Sequence, residues 1–148
     1  MEPARITKPE LRSIQEQLAA LEPIFHHPKL GTSREAYEAM TVADFWEVGA
    51  SGRRYSRQFV VETLVDRYSR PYQENWTKDD FYCQILADDL YLLTYTLTEG
   101  ERVTRRATIW HNSSEGWKIV YHQGTIVEPI TADLKEASQW GSTPHAPT

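Results

Sequence analysis

The spacing of apolar positions changes after Pro71, and that change divides the chain into a helical part and a strand-rich part. In "TKPELRSIQEQLAALEP", Leu11, Ile14, Leu18 and Leu21 recur at helical spacing and predict a first helix. Thr7 and Glu10 stand at capping-box spacing, Pro9 suits a first turn that has no use for its missing N–H, and Pro23 marks the stop. "IFHHPKLG" reads as an irregular connector. "GTSREAYEAM" predicts a second, shorter helix, with Thr32 and Glu35 again at capping-box spacing. "VADFWEVGA" is the first strand and "SGRR" its turn. Ser56 is placed to cap a third helix, "RQFVVETLVDRY", whose Phe59, Val60, Leu64 and Val65 supply the buried stripe.

Beyond Pro71 the period is that of strands. "DDFYCQILAD", "LYLLTYTLT", "RVTRRATIWH" and "GWKIVYHQGT" are separated by turn formers such as Asp88-Asp89, Glu99-Gly100 and the run from Asn112 to Gly116. Helices followed by an antiparallel meander predict an α+β domain with its helices gathered on one sheet face. At period two, Val103, Ala107 and Ile109 share one face, with Thr108 and Trp110 on the other. In the next strand Trp117, Ile119 and Tyr121 oppose Val120 and His122. Neither face is cleanly polar, whereas a sheet with one solvated face alternates more clearly. Two explanations stand: a second copy of the chain covers the outer face as a homodimer, or aromatic-rich strands simply expose some ring surface.

A chain of 148 residues fits one domain, here residues 1–130, with 131–148 as a loose tail that Trp140 could anchor. A domain of this size buries roughly two-thirds of its unfolded surface and needs no disulfide or metal. The single cysteine, Cys83, lies in an apolar run and reads as a packed thiol. The net charge of −5 argues against nucleic acid as a partner, and "GRRYSR" reads as a solvated loop. The N-terminal "MEPARITKPELR" has no apolar run behind its charges, and no segment is apolar enough to cross a bilayer, so no membrane partner and a cytoplasmic location are expected. His26 and His27 are adjacent in a loop, a poor arrangement for one ion, and no metal site is assigned. Without a phosphate-binding glycine loop or a nucleophile elbow, no cofactor is expected either.

The order helix–helix–strand–helix–meander, with "DFWEVGASGRRYSR" after the second helix and "RATIWHNSSEGWKIVYHQGT" at the end, resembles the nuclear transport factor 2-like superfamily over about residues 8–128. Trp110 and Trp117 around a hairpin, followed by His122-Gln123-Gly124-Thr125, resemble a bacterial branch of unknown function near the SnoaL-like polyketide cyclases. The same hairpin is similar to that of the calcium/calmodulin-dependent kinase II association domain. The resemblance implies a cone-shaped cystatin-like fold in which N-terminal helices pack on a curved antiparallel sheet around a deep pocket. The superfamily holds isomerases, dehydratases, cyclases, epoxide hydrolases and members without catalysis, so the fold alone fixes no activity.

Which side chains enter that pocket depends on the register of the last hairpin. An odd-numbered turn pairs Arg106 with His122 and Thr108 with Val120; an even-numbered one sets Arg106 opposite Tyr121. In the kinase association domain an arginine matches Thr108 and faces the cavity, which implies that the even-numbered residues of this strand, Arg106 among them, point inward. Arg106 is then an anchor for an anion and His122 its hydrogen-bonding partner, with Thr108, Trp46 and Trp110 as wall. Equally, Arg106 could pair with Glu47 or another carboxylate while His122 ends the strand. Asp44 and Glu47 lie three apart, on opposite faces of a strand, so one of them could face the pocket as a general base if burial raises its pKa. His122 and Asp44 are the candidate bases. The expected function is binding of a small anionic or carbonyl compound, with cofactor-free proton transfer of the isomerase, dehydratase or cyclase type. The alternative is a non-catalytic interaction or oligomerisation module.

Overall fold

A computed structural model describes residues 1–71 and 73–128. A 3-10 turn at Pro9–Leu11 leads into α1 (Arg12–Leu21), and a second at Pro28–Leu30 precedes α2 (Arg34–Ala39). Then follow β1 (Thr41–Val48), β2 (Arg54–Ser56), α3 (Arg57–Tyr68), β3 (Thr77–Ala87), β4 (Leu90–Glu99), β5 (Arg102–Ser113) and β6 (Gly116–Ile126). No helix among the described residues is long and apolar enough to cross a membrane. The expected tail, with Trp140, lies outside the described residues.

Serine hydroxyls cap α2 and α3, in one case as the spacing predicts. Ser56 caps α3 by accepting from the Phe59 N–H at 3.2 Å. At α2 the cap is Ser33, which accepts from the Ala36 N–H at 3.1 Å, one residue later than the predicted Thr32. Thr7 caps nothing. Its hydroxyl bonds Gln15 and accepts from the Cys83 N–H at 3.0 Å, which ties the N-terminal segment to β3. The buried stripe of α3 is Val60, Val61 and Leu64, while Phe59 turns outward and stacks on Tyr55 at 5.0 Å.

The six strands form one curved sheet in the order β2-β1-β6-β5-β4-β3. The sheet is mixed: β1 runs parallel to β6, and every other pair is antiparallel, where an antiparallel sheet was expected. α1 packs on β3, and α2 and α3 on β1. Leu18, Tyr37, Phe45, Val61, Leu93, Leu97 and Ile119 make the centre of the core between helices and sheet. Sequestering such side chains contributes roughly 1.5–3 kcal/mol each.

The hairpin follows neither predicted register. Ser113 pairs with Gly116 around a two-residue turn, and the ladder runs regularly to Trp110 opposite Ile119. There Val120 is an extra residue, a bulge, because the next pair is Ile109 with Tyr121. Beyond it Thr108 pairs with His122 and Arg106 with Gly124. The bulge lets Ile119 and His122, three apart, both be buried at 1% exposure. As the resemblance implied, Thr104, Arg106, Thr108 and Trp110 share the inner face, with Thr104, Thr108 and Trp110 buried.

Candidate functional site

A cavity of about 570 Å³ opens between α3 and the inner face of the sheet. α3 contributes Val60, Thr63, Leu64 and Arg67, and the connector after α1 contributes Ile24, Phe25 and His26. The sheet contributes Glu47 from β1, Glu99 from β4, Arg102 and Arg106 from β5 and His122 from β6.

Arg106 is held from three directions. Its Nε donates to Thr104 Oγ1 at 2.9 Å, one terminal nitrogen reaches His122 Nε2 at 3.4 Å, and the other lies 3.5 Å from the Glu99 carboxylate. Its ion-pair partner is thus Glu99, at the end of β4, and not Glu47. Gly124 stands directly across the ladder, where an added Cβ would lie 3.3 Å from the Arg106 Nε. A glycine there leaves the guanidinium its room.

Behind Arg106 the polar contacts continue inward. His122 Nδ1 lies 2.8 Å from the Thr108 hydroxyl, and further in lies the side chain of Glu22. Glu22 ends α1, is fully buried, and precedes a cis peptide bond to Pro23. Its Oε1 accepts from the Tyr95 hydroxyl at 2.7 Å and the Ile24 N–H at 3.0 Å, and its Oε2 from the Trp110 indole N–H at 3.0 Å. Burial pushes this carboxyl's pKa up, while Tyr95, Thr108, Trp110 and Ile24 pull it down. The Lys78 ammonium donates to the carbonyls of Ala19 and Glu22 at 2.5 and 2.6 Å and places a positive charge beside the carboxylate.

Sequence reasoning missed Glu22. The available signal was its place: an acidic residue at a helix C-terminus sits against the negative end of the dipole and calls for compensation.

Burial, then the positive charge of Arg106, then His26 hold the His122 pKa down at about 3. Burial acts likewise on His26, ahead of Arg67, Arg106 and His27, and brings it to about 4. His122 is therefore neutral near pH 7 and a weak proton acceptor there. Glu47 differs. It faces the cavity opposite His122 across the β1–β6 pair, burial raises its pKa against the pull of Arg106 and Arg67, and among the described residues no hydrogen bond reaches its carboxylate.

The structure separates the other candidates from this cavity. Asp44 is exposed in an open groove between β1, α2 and α3, because Phe45 and Glu47 take the inward positions of β1. Trp46 is 45% exposed on the outer face and packs on Tyr121 at 4.7 Å, so it is no wall of the cavity. Trp110 is buried with its N–H on Glu22, and it lines a second, apolar cavity of about 300 Å³ with Leu30, Met40, Trp117 and Ile119. Thr108 lies beneath His122, fully buried. Among the described residues no group of three or more His, Cys, Asp or Glu side chains could hold a metal ion.

With this geometry the fold is that of the nuclear transport factor 2-like proteins, the cystatin-like cone. Among solved structures the chain is similar to a proposed ketosteroid isomerase from Parabacteroides distasonis, at 15% identity and a TM-score of 0.60, covering 86% of this chain and 98% of that one. It is also similar to a proposed dehydratase of the same fold family from Streptomyces avermitilis, at 13% identity and a TM-score of 0.61, covering 79% and 98%. A proposed calcium/calmodulin-dependent kinase II association domain from Exiguobacterium sibiricum is 24% identical, with a TM-score of 0.52 and coverage of 87% and 98%. No family model and no curated protein matches the chain.

Proposed function

We propose that the chain is a cytoplasmic domain that binds a small anionic or carbonyl compound in the cavity between α3 and the sheet, and transfers a proton on it without a cofactor. One observation carries the reading: a guanidinium fixed by Thr104, His122 and Glu99 shares a cavity with a carboxylate, Glu47, that has no donor among the described residues and a raised pKa. Arg106 is the anchor, and its two uncommitted N–H groups suit a carboxylate or a developing enolate oxygen. Of the candidate bases it is Glu47, and not Asp44 or His122, that fills the role. Its carboxylate accepts a proton from the carbon next to a carbonyl, the electron pair moves to oxygen beside Arg106, and return of the proton to another carbon completes an isomerisation.

Calorimetric titration with a panel of small carboxylates and ketones tests this. One chemical class is expected to bind, and Arg106→Lys to weaken it by ~10–100-fold, the worth of a charge-assisted contact. If no compound binds at millimolar concentration, the interaction-module alternative takes over. For that alternative, and for the homodimer, the supporting feature is the outer sheet face, where Leu92, Ala107, Ile109 and Tyr121 line a groove of about 480 Å³. A concentration-independent monomer in sedimentation would remove the dimer.

A further inference from the structure

We propose that the ligand of this cavity carries a flat, conjugated ring next to its reacting carbon, and that Tyr55 and Phe59 are the residues that select the ring. For the anionic or carbonyl end of the ligand the inference rests on the function proposed above; for the ring it rests on separate observations.

Tyr55 is placed by the sheet. β2 sets it directly opposite Glu47, and on the other side of β1 the same Glu47 stands opposite His122, so the three form one row on the inner face. Neighbours in such a row are one strand spacing apart, about 4.8 Å. The Tyr55 ring also needs a bare backbone beside it: a Cβ at Gly49, between β1 and β2, would lie 3.1 Å from the ring. Phe59 comes from the first turn of α3 and stacks on Tyr55, with ring centroids 5.0 Å apart and planes at 12°. Both rings line the cavity.

α3 has its inner stripe without Phe59, since Val60, Val61 and Leu64 are buried, and Phe59 is left 51% exposed at the cavity wall. A ring kept half in water there has apolar surface still to bury, and a flat partner gains stacking beyond the area it covers. The order across the sheet sets the rest. Arg106 on β5 and Tyr55 on β2 stand on opposite sides of Glu47 on β1. A ligand whose oxygen meets Arg106 and whose acidic carbon lies over Glu47 therefore extends its far side toward Tyr55. The compound that fits is a carboxylate or ketone whose acidic carbon lies between the carbonyl group and the ring.

Phenylacetate and cyclohexylacetate, equal in charge, separate a flat ring from a puckered one; acetate reads the anionic end alone and benzyl alcohol the ring alone. Each is titrated into the full chain while the ring signals of Tyr55 and Phe59 are followed by NMR. Phenylacetate is expected to bind ~5–10-fold more tightly than cyclohexylacetate and to shift both sets of signals. Phe59→Leu keeps an apolar side chain and removes the ring; it is expected to bring phenylacetate down to cyclohexylacetate and to leave acetate unchanged. Equal binding of the two ring acids, or phenylacetate indifferent to Phe59→Leu, would overturn the proposal, while acetate that weakens in Arg106→Lys would still uphold the anion pocket. Ring signals that move with benzyl alcohol while no acid binds would sink the anion pocket and leave the ring site standing. Ring signals unmoved by all four compounds would remove the ring site itself.

Discussion

Glu22 and Glu47 flank His122 on either side of β6, and burial raises the pKa of both, yet their surroundings differ in kind. Around Glu22 the region is closed, with Tyr95, Trp110 and the Ile24 amide all donating to the carboxylate. Around Glu47 the region is open to the cavity, and only the more distant charges of Arg106 and Arg67 oppose the burial. The same side chain, under a penalty of the same sign, is compensated by hydrogen bonds in one place and not in the other. The uncompensated one marks where a ligand's proton or donor has something to gain.

Acid gives the largest contrast. His122 binds its proton near pH 3 when folded and near 6.5 when unfolded, so stability is full above 6.5 and falls as pH drops toward 3, by roughly 4–5 kcal/mol from this ring. His26, held at about 4, acts in the same direction. The two glutamates act in the opposite sense, because a raised carboxyl pKa adds stability as pH falls through it. Urea unfolding across this range is expected to show a net loss that His122→Gln flattens. A wild-type profile already flat would mean that water reaches the ring and that the closed region is not closed.

Next in size is Glu22→Ala, which leaves the Tyr95, Trp110 and Ile24 donors without an acceptor and is expected to cost roughly 3–5 kcal/mol in thermal unfolding. A loss under ~1 kcal/mol would erase the distinction between the two regions. Smallest, and opposite in sign, is Glu47→Gln. At neutral pH it removes a charge that burial disfavours, and it is expected to raise stability by ~1 kcal/mol while abolishing any proton transfer. A destabilised Glu47→Gln would show that this carboxylate has a partner after all.

Much of this is legible in the amino-acid sequence. The period change near Pro71, the Ser56 cap and the inward face of Arg106 follow from local spacing or from the family resemblance, and the fold bears them out. What stayed hidden depends on tertiary contacts. Thr7 looks like a cap until the Cys83 amide, far along the chain, takes up its hydroxyl. Asp44 and Glu47 were correctly placed on opposite faces, but only the packing of Phe45 says which of the two turns inward. Glu22 reads as the last residue of a helix, and its three donors come from the connector and from two distant strands. The hairpin register was out of reach because a bulge has no fixed signature in composition.

That bulge also gives β6 slack. With Val120 as a surplus residue, a length change of one residue between the hairpin turn and His122 can be absorbed by straightening the strand, and the side chains beyond it keep their faces. Loss of the Val120 codon would restore a regular ladder with Ile119 still opposite Trp110 and His122 still opposite Thr108. The tip of the hairpin is thereby free to drift in length by a residue over generations, while the end that holds Arg106 and His122 stays in phase.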